Sequence, residues 1–559
     1  VAGAGTGKTR TLAARVARLV DSGVAPERIL LLTFTRRAAQ EMVQRAGRMT
    51  SMTRAGRVWG GTFHAVGNRL LRVYGASLGL PPNFTVLDQG DGADLMNLIR
   101  NELELGRGRR RFPKKDTLAS VYSRAVNART KLVDVVEAHY PWCKEDVEDM
   151  ARIFKAYTER KREQGTLDFD DLLLYWHALM RSDAGPKVAE SFDHVLVDEY
   201  QDTNEVQAEI LRALRKSNQN IMVVGDDAQS IYSFRAATIH NILNFPQHFP
   251  GTTVVKLEKN YRSSQPILDV SNAVIANARK RYEKDLFSER MEGLRPGLFT
   301  CRDEAQQSEA VCGAVLDARE RGVALAQQAV LFRTGHHSAH LEIELTRRNI
   351  PFVKYGGLRF VEAAHVRDVL ALLRILENPH DELAWFRVLQ LTEGVGPSTA
   401  SRIMESLGVR RAGADHSPER DPLRRLVENP PPLKNPARRQ IADLAATMGD
   451  CLRQAAAPAT EIERVRAWCE PIFERVYDNA PARLADLTQL EQIASGYGSR
   501  ARFIADLALD PPVSTGELAG PPLLDEDYLI LSTIHSAKGC EWEAVYVIHA
   551  ADGMMPSDM

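Results

Sequence analysis

No run of about 18 apolar residues occurs in the 559-residue sequence, so no membrane-spanning helix is expected. No two cysteines are spaced C-x-x-C. The six present (Cys143, Cys301, Cys312, Cys451, Cys469 and Cys540) are scattered. That arrangement argues against a zinc site, an iron–sulfur cluster or a disulfide frame, and it suits a reducing cytoplasm. Neither charge sign dominates: 72 Lys+Arg stand against 73 Asp+Glu, a net charge of -1. A simple basic coat for nucleic acid is thereby excluded, whereas a local basic track is not. Internal repeats and long low-complexity tracts are also missing. What is present is an ordinary globular composition, 44% hydrophobic and 26% charged. The length suits about three to five domains.

The chemistry begins at the first residue. Val1-Ala-Gly-Ala-Gly-Thr-Gly-Lys-Thr-Arg10 fits the P-loop pattern from Ala2 to Thr9, with Ala2 in place of the first glycine. Along Gly3, Ala4, Gly5, Thr6 and Gly7, backbone N–H groups can turn inward around phosphate oxygens. Lys8 would reach the β- and γ-phosphates, and the Thr9 hydroxyl would bind Mg²⁺. Apolar residues then recur with helical spacing over 11–20, which adds the positive end of a helix dipole. A P-loop follows a strand, so the natural protein is expected to extend upstream of Val1. Read alone, the motif competes with a chance glycine-rich turn.

A second motif narrows the choice. In His194-Val-Leu-Val-Asp-Glu-Tyr-Gln-Asp202, an apolar run leads into two carboxylates, the pattern of a buried parallel strand ending at a site. Asp198 would hold Mg²⁺ and Glu199 would act as general base on the attacking water. The competing reading is a strand end turning into a solvated loop. A third strand ends in Ile221-Met-Val-Val-Gly-Asp-Asp-Ala-Gln-Ser230. There Gln229 reads either as a γ-phosphate sensor or as a cap of the next helix, and the serial order of the three motifs favours sensing.

With these motifs in order, the chain resembles the UvrD/Rep/PcrA group of superfamily-1 DNA helicases. Further segments agree: Leu32-Thr-Phe-Thr-Arg-Arg-Ala-Ala-Gln-Glu-Met42 with motif Ia, Gly61-Thr-Phe-His-Ala65 with Ib, and Gln229-Ser-Ile-Tyr-Ser-Phe-Arg-Ala236 with III. Leu257-Glu-Lys-Asn-Tyr-Arg-Ser263 resembles motif IV, and Leu531-Ser-Thr-Ile-His-Ser-Ala-Lys-Gly-Cys-Glu541 motif V. The resemblance implies that Tyr261 stacks on adenine, Arg262 contacts the γ-phosphate, Arg10 lies on the adenine side, and Glu541 bonds the ribose with Gly539 nearby. It also implies single-strand DNA contacts at Phe34, Thr35, His64, Tyr232, Phe234, Arg235 and His535. Aromatic faces stack on any base at about 1–3 kcal/mol each, which suits a motor that steps without reading sequence. For Tyr232 and Phe234 the competing reading is core packing. The chain departs from the family pattern at Phe234 (Trp in several relatives), Arg36 and Arg37 (usually Asn-Lys) and Ala236 (commonly Gly).

The implied fold is α/β: two RecA-like P-loop NTPase domains with parallel sheets, each carrying a mostly helical insertion. Motor domain 1A would take residues 1–85 and 188–279, with insertion 1B at 86–187. Domain 2A would take 280–377 and 525–559, with insertion 2B at 378–524. Apolar patterning supports strands at 29–33, 328–333, 350–357 and 528–532 and an amphipathic helix at 38–45. Arg107-Gly-Arg-Arg-Arg-Phe-Pro-Lys-Lys115 is either a phosphate track or a solvated loop. Leu167-Asp-Phe-Asp-Asp-Leu-Leu-Leu174 reads as an Asp-capped helix start without catalysis. Gly394-Val-Gly-Pro-Ser-Thr-Ala-Ser-Arg-Ile403 is either a helix-hairpin-helix turn facing a phosphate or a plain Gly–Pro connection. Residues 408–440, with Arg410, Arg411, Arg424, Arg425, Arg438 and Arg439, read as a loop or a duplex-facing surface.

The activity implied is ATP- and Mg²⁺-dependent movement along single-stranded DNA, 3′-to-5′, with unwinding at single-strand/duplex junctions in repair or replication. Candidate partners are repair or replication proteins, with no membrane involved and a cytoplasmic, nucleoid-associated location. Two alternatives stay open: a helicase subunit of a RecB/AddA-type repair nuclease, and a translocase that displaces proteins without unwinding. The family's motif VI arginine finger and strand-separating hairpin would follow Met559. Such an arginine is worth about 10³–10⁵ in rate in related NTPases, so the 559 residues alone are expected to be inactive.

Overall fold

The apolar run Ile29–Thr33 (β1) is a strand with all five residues buried, the composition expected of a strand covered on both faces. It lies between Trp59–Thr62 (β2) and His194–Val197 (β3), and Ile221–Val223 (β4) completes a sheet of order β2-β1-β3-β4. All pairings are parallel, with Leu30 opposite Trp59, Ile29 opposite His194 and Val197 opposite Val223. Successive side chains alternate between faces. Leu30, Leu32, Val195 and Val197 pack with Leu172, Trp176 and Leu211. Ile29, Leu31 and Leu196 pack with Leu12, Val16 and Met42. The opening residues join this sheet: the Ala2 N–H donates to the Gly225 carbonyl at 3.0 Å, and Leu257 N–H to the Val1 carbonyl at 2.9 Å.

The computed structural model describes residues 1–50, 56–105, 112–355, 363–409, 421–453, 456–476, 480–509 and 527–555. Residues 107–111 of the basic run, Gly356, Gly357, Arg410, Arg411 and the side chains of Arg36 and Arg37 lie outside the described residues. Two compact units emerge, Val1–Pro296 with Asp368–Asp510, and Gly297–Arg367 with Pro511–Met559. Among the described residues, no helix is long and apolar enough to cross a membrane.

In the first unit, Lys8–Asp21 and Arg36–Met49 are the helices that follow the phosphate loop and β1. Residues 86–187 are largely helical, with their own core of Leu95, Leu118, Val121, Ile153 and Tyr157. Asp168 caps the helix Phe169–Arg181 in a capping box with Asp171. The same two carboxylates also hold the buried Lys161 ammonium at 2.5 Å each. Residues 280–296 and 368–377, placed by the resemblance in the second motor domain, pack inside the first unit. Lys284 lies 2.6 Å from Asp226, and Arg374 bonds Asp381 at 2.8 Å as well as Asp91. The second insertion rests on the first there: wholly buried Glu382 accepts from Arg160 at 2.8 Å and Gln164 at 2.6 Å. Gly394, with φ of 77°, and Gly396 connect the helices Glu382–Leu391 and Pro397–Leu407.

The arginine-rich stretch, read as either a loop or a duplex-facing surface, is partly helical. Arg424 and Arg425 sit on Pro422–Glu428, and Arg438 and Arg439 on Ala437–Arg453. Asp421 accepts the Leu423 and Arg424 N–H groups with Pro422 at the first helical position, which is a strong start signal. Leu423 and Leu426 then bury the inner face.

The second unit repeats the architecture. Gln328–Phe332 (β5), Phe352–Tyr355 (β6), Leu529–Thr533 (β7) and Ala544–Val547 (β8) form a parallel sheet of order β6-β7-β5-β8. Its core includes Val330, Phe332, Leu341, Leu345, Leu529 and Leu531. Both units are thus α/β, with RecA-like parallel sheets.

Candidate functional site

The phosphate loop turns where glycine permits it. Gly5 and Gly7 have φ of 73° and 93°, in the left-handed region. Gly7 caps the helix that begins at Lys8, so the first-turn N–H groups lack helical partners and face the loop's concavity. Thr6 Oγ1 donates to the Gly3 carbonyl at 2.8 Å. Ala2 and Gly3 are buried, Thr9 is half-buried, and Ala4 and Arg10 are exposed. Lys8 is buried, with its Nζ 3.9 Å from Glu199 Oε1.

Asp198 and Glu199 follow β3. The Asp198 N–H donates to the Leu32 carbonyl at 2.8 Å, extending the ladder to the strand's end, and its side chain is buried. Glu199 adopts a left-handed backbone, φ 48° and ψ 45°. For a residue with a Cβ this costs about 1–2 kcal/mol, a strain of the kind held at functional sites. Its Oε2 accepts from Gln201 Nε2 at 2.6 Å. Gln229 Nε2 donates to Asp226 Oδ2 at 2.7 Å, and Asp226 Oδ1 accepts the Ala228 N–H at 3.2 Å. Asp226 therefore caps the turn Asp227–Gln229, and the same carboxylate holds the Gln229 amide. Lys284, whose side chain is only 5% exposed, bonds both Asp226 and Asp227.

The segment after Leu257 is stitched to the phosphate loop. The Tyr261 N–H donates to the Gly5 carbonyl at 3.0 Å. Asn260 Nδ2 donates to the Ala4 carbonyl at 2.6 Å, while its Oδ1 accepts the Arg262 and Ser263 N–H groups at 2.8 Å each. Tyr261 and Arg262 are thereby fixed beside the loop with exposed side chains. Oxygen donors at Thr9 and Asp198, a buried ammonium at Lys8 and inward N–H groups suit a triphosphate with a hard divalent cation.

Rings gather at the carboxyl ends of the same strands. Phe34, one residue past β1, lies 4.6 Å from Tyr232 between ring centroids, and Tyr232 lies 5.8 Å from Phe234. The Arg235 guanidinium is 5.7 and 5.6 Å from the Tyr232 and Phe234 centroids. Tyr232 is only 7% exposed and so is itself packed, whereas Phe234 is 50% exposed. His64, just past β2, lies 5.6 Å from Phe169. Burial, reinforced by Arg235, pushes its imidazole down to about 4, so it is neutral at pH 7. The Thr35 side chain accepts the Ala38 N–H at 3.2 Å as the cap of Arg36–Met49. Ala236 has φ of 59°, the conformation that favours the glycine expected there. In the second unit, His535, Gly539 (φ 89°) and exposed Glu541 lie on the turn after β7.

Gln201, Asp226, Asn260 and Lys284 were not singled out by the sequence reading. Gln201, Asp226 and Asn260 sit within the motifs above and Lys284 outside them, and the partner that gives each its meaning can be distant in sequence, 256 residues for Asn260 and Ala4.

A parallel sheet with a phosphate loop at its edge and an Asp–Glu pair at the next strand end defines a RecA-like P-loop NTPase. Residues 1–250 match the UvrD/REP helicase N-terminal domain and residues 255–414 the UvrD-like helicase C-terminal domain. The chain is 32% identical to the ATP-dependent DNA helicase PcrA of Leuconostoc citreum, over all of this chain and 75% of that protein. It is 31% identical to DNA helicase II of Escherichia coli, over all of this chain and 77% of that protein. For the ATP-dependent DNA helicase PcrA of Bacillus subtilis the identity is 30%, over all of this chain and 76% of that protein. The chain belongs to the UvrD-like helicase family.

Proposed function

We propose that this chain is the motor of an ATP-dependent DNA helicase that hydrolyses ATP to move along single-stranded DNA, 3′-to-5′ as the family resemblance implies, and unwinds duplex in repair or replication. The observation that carries the reading is the approach of Lys8 to Glu199 at 3.9 Å, on the strand-end edge that also bears Phe34, Tyr232 and Phe234. Lys8 neutralises the β- and γ-phosphates, and Glu199 takes the proton of the attacking water. Thr9 and Asp198 would hold a magnesium ion, which when bound offsets charge on the phosphate oxygens. Gln229 and Arg262 respond to the γ-phosphate, and Tyr261 offers its exposed ring to adenine. Phe34 and Phe234 stack on bases while Tyr232 braces them, and neutral His64 adds a further flat face. The division into 1A, 1B, 2A and 2B given above goes with this reading. Lys8→Ala in the full-length protein tests it: DNA-stimulated ATP hydrolysis is abolished, and retained turnover refutes the assignment.

A further inference from the structure

Gln201 is wholly buried two residues after Glu199, and none of the roles above uses it. Its amide has one donor side and one acceptor side, and each faces a different part of the site. Nε2 donates to Glu199 Oε2 at 2.6 Å and reaches Asp202 Oδ2 at 3.5 Å. Oε1 accepts the Asp226 N–H at 3.0 Å. The Gln201 carbonyl accepts the Ser230 hydroxyl at 3.2 Å. Asp226 and Ser230 flank Gln229 and lead into Tyr232 and Phe234. The packing leaves little slack, because a Cβ on Gly225 would come within 2.6 Å of Gln201 Oε1 and 2.6 Å of Ile242 Cδ1. The amide cannot be reversed without turning its oxygen onto two carboxylates, and a glutamate here would do the same with charge.

We infer that Gln201 is a positioning residue through which the loop 226–234 sets the orientation of the Glu199 carboxylate, so that a strand seated on the rings and water activation are coupled. The inference rests on the proposed roles of Glu199 as base and of the rings as strand contacts. When the loop shifts on binding a strand, the Asp226 N–H and the Ser230 hydroxyl move with it. Gln201 carries that displacement to the carboxylate.

The test uses Gln201→Leu, Gln201→Glu, Ser230→Ala and Glu199→Gln in the full-length protein, with a thymidine oligonucleotide as probe. ATP turnover is measured with and without saturating oligonucleotide, alongside the oligonucleotide Kd. An Å-scale misplacement of a reacting group costs about 10²-fold. Gln201→Leu accordingly lowers DNA-stimulated kcat by about that factor while KM for ATP and the oligonucleotide Kd stay within about twofold. Gln201→Glu, which sets a further carboxylate against Glu199 and Asp202, lowers DNA-stimulated kcat by a comparable factor. Ser230→Ala removes one hydroxyl and lowers stimulation several-fold, and it decides the matter should Gln201→Leu fail to fold. Wild-type stimulation in Ser230→Ala together with wild-type kcat in Gln201→Glu overturns the coupling. If Glu199→Gln abolishes turnover in that case, the base assignment stands. Full turnover in Glu199→Gln instead overturns the base assignment, and the coupling with it.

Discussion

Replacing the two left-handed glycines of the phosphate loop one at a time separates backbone strain from crowding. Gly5 and Gly7 have φ of +73° and +93°, so alanine at either position pays the left-handed penalty, about 1–2 kcal/mol. At Gly7 nothing lies within 4 Å of an added Cβ, and the penalty ends there. At Gly5 the new atom would come 2.8 Å from Arg262 Cβ and 2.9 Å from Asn260 Nδ2. Overpacking of this kind adds about 1–3 kcal/mol. It also pushes on the amide that donates to the Ala4 carbonyl, so the seam between the loop and Tyr261–Arg262 opens. The totals are about 1–2 kcal/mol for Gly7→Ala and about 2–5 kcal/mol for Gly5→Ala. Urea denaturation of the nucleotide-free protein reads the difference directly, and a fluorescent ATP analogue reads its consequence for binding. Gly5→Ala is expected to be the less stable by about 1–3 kcal/mol and to bind the analogue at least about tenfold more weakly than wild type, since about 1.4 kcal/mol is tenfold. Equal stability of the two variants, or a Gly7→Ala protein less stable than Gly5→Ala, refutes the crowding argument.

Other perturbations follow from the same geometry. Glu199→Gln keeps the side-chain shape but removes the base, so kcat falls by about 10²–10⁴ with nucleotide affinity retained; unchanged kcat in stopped-flow phosphate release contradicts the assignment. Asn260→Ala strands the Ala4 carbonyl and two N–H groups, costs about 1–3 kcal/mol, and raises KM for ATP in steady-state assays. Lys161→Met leaves Asp168 and Asp171 buried without their cation and destabilises by about 3–5 kcal/mol; an unmoved urea midpoint would count against that bridge. His64 is held at about 4 in the fold against an ordinary 6.5, so the unfolded chain binds more protons between those values and stability falls as pH drops through that window. His64→Gln flattens that segment of the stability–pH curve, and an unchanged slope denies the burial.

Local signals carried much of the architecture. The strand Ile29–Thr33 was legible because an uninterrupted apolar run of strand length admits little else. The phosphate loop was legible because glycine spacing encodes backbone shape, and the Asp168 cap because its consequence lies three residues away. What escaped depends on partners that only the fold brings near. Lys161 is an ordinary helix lysine until Asp168 and Asp171 fold back onto it. Asn260 and Gln201 read as neutral polar residues until their amides meet Ala4 and Asp226. The helix Pro422–Glu428 was obscured by surrounding arginine and proline, although Asp421-Pro422 announces it. Residues 280–296 lie in the first compact unit, where Lys284 contacts Asp226 and Asp227, pairings that no local signal near residue 280 announces. Tyr232 lies against both Phe34 and Phe234, yet packing rather than exposure dominates its surroundings, which residue type alone does not reveal.

In the proposed function, phosphate chemistry and strand contact share one edge of one sheet. That arrangement is tested most directly by titrating the full-length protein with mixed-sequence single-stranded oligonucleotides while following ATP turnover, for wild type and for Phe34→Ala/Phe234→Ala. Stimulation is expected to be indifferent to base sequence in the wild type and largely lost in the double variant. Turnover that ignores single strands, or stimulation that survives removal of both rings, would contradict it.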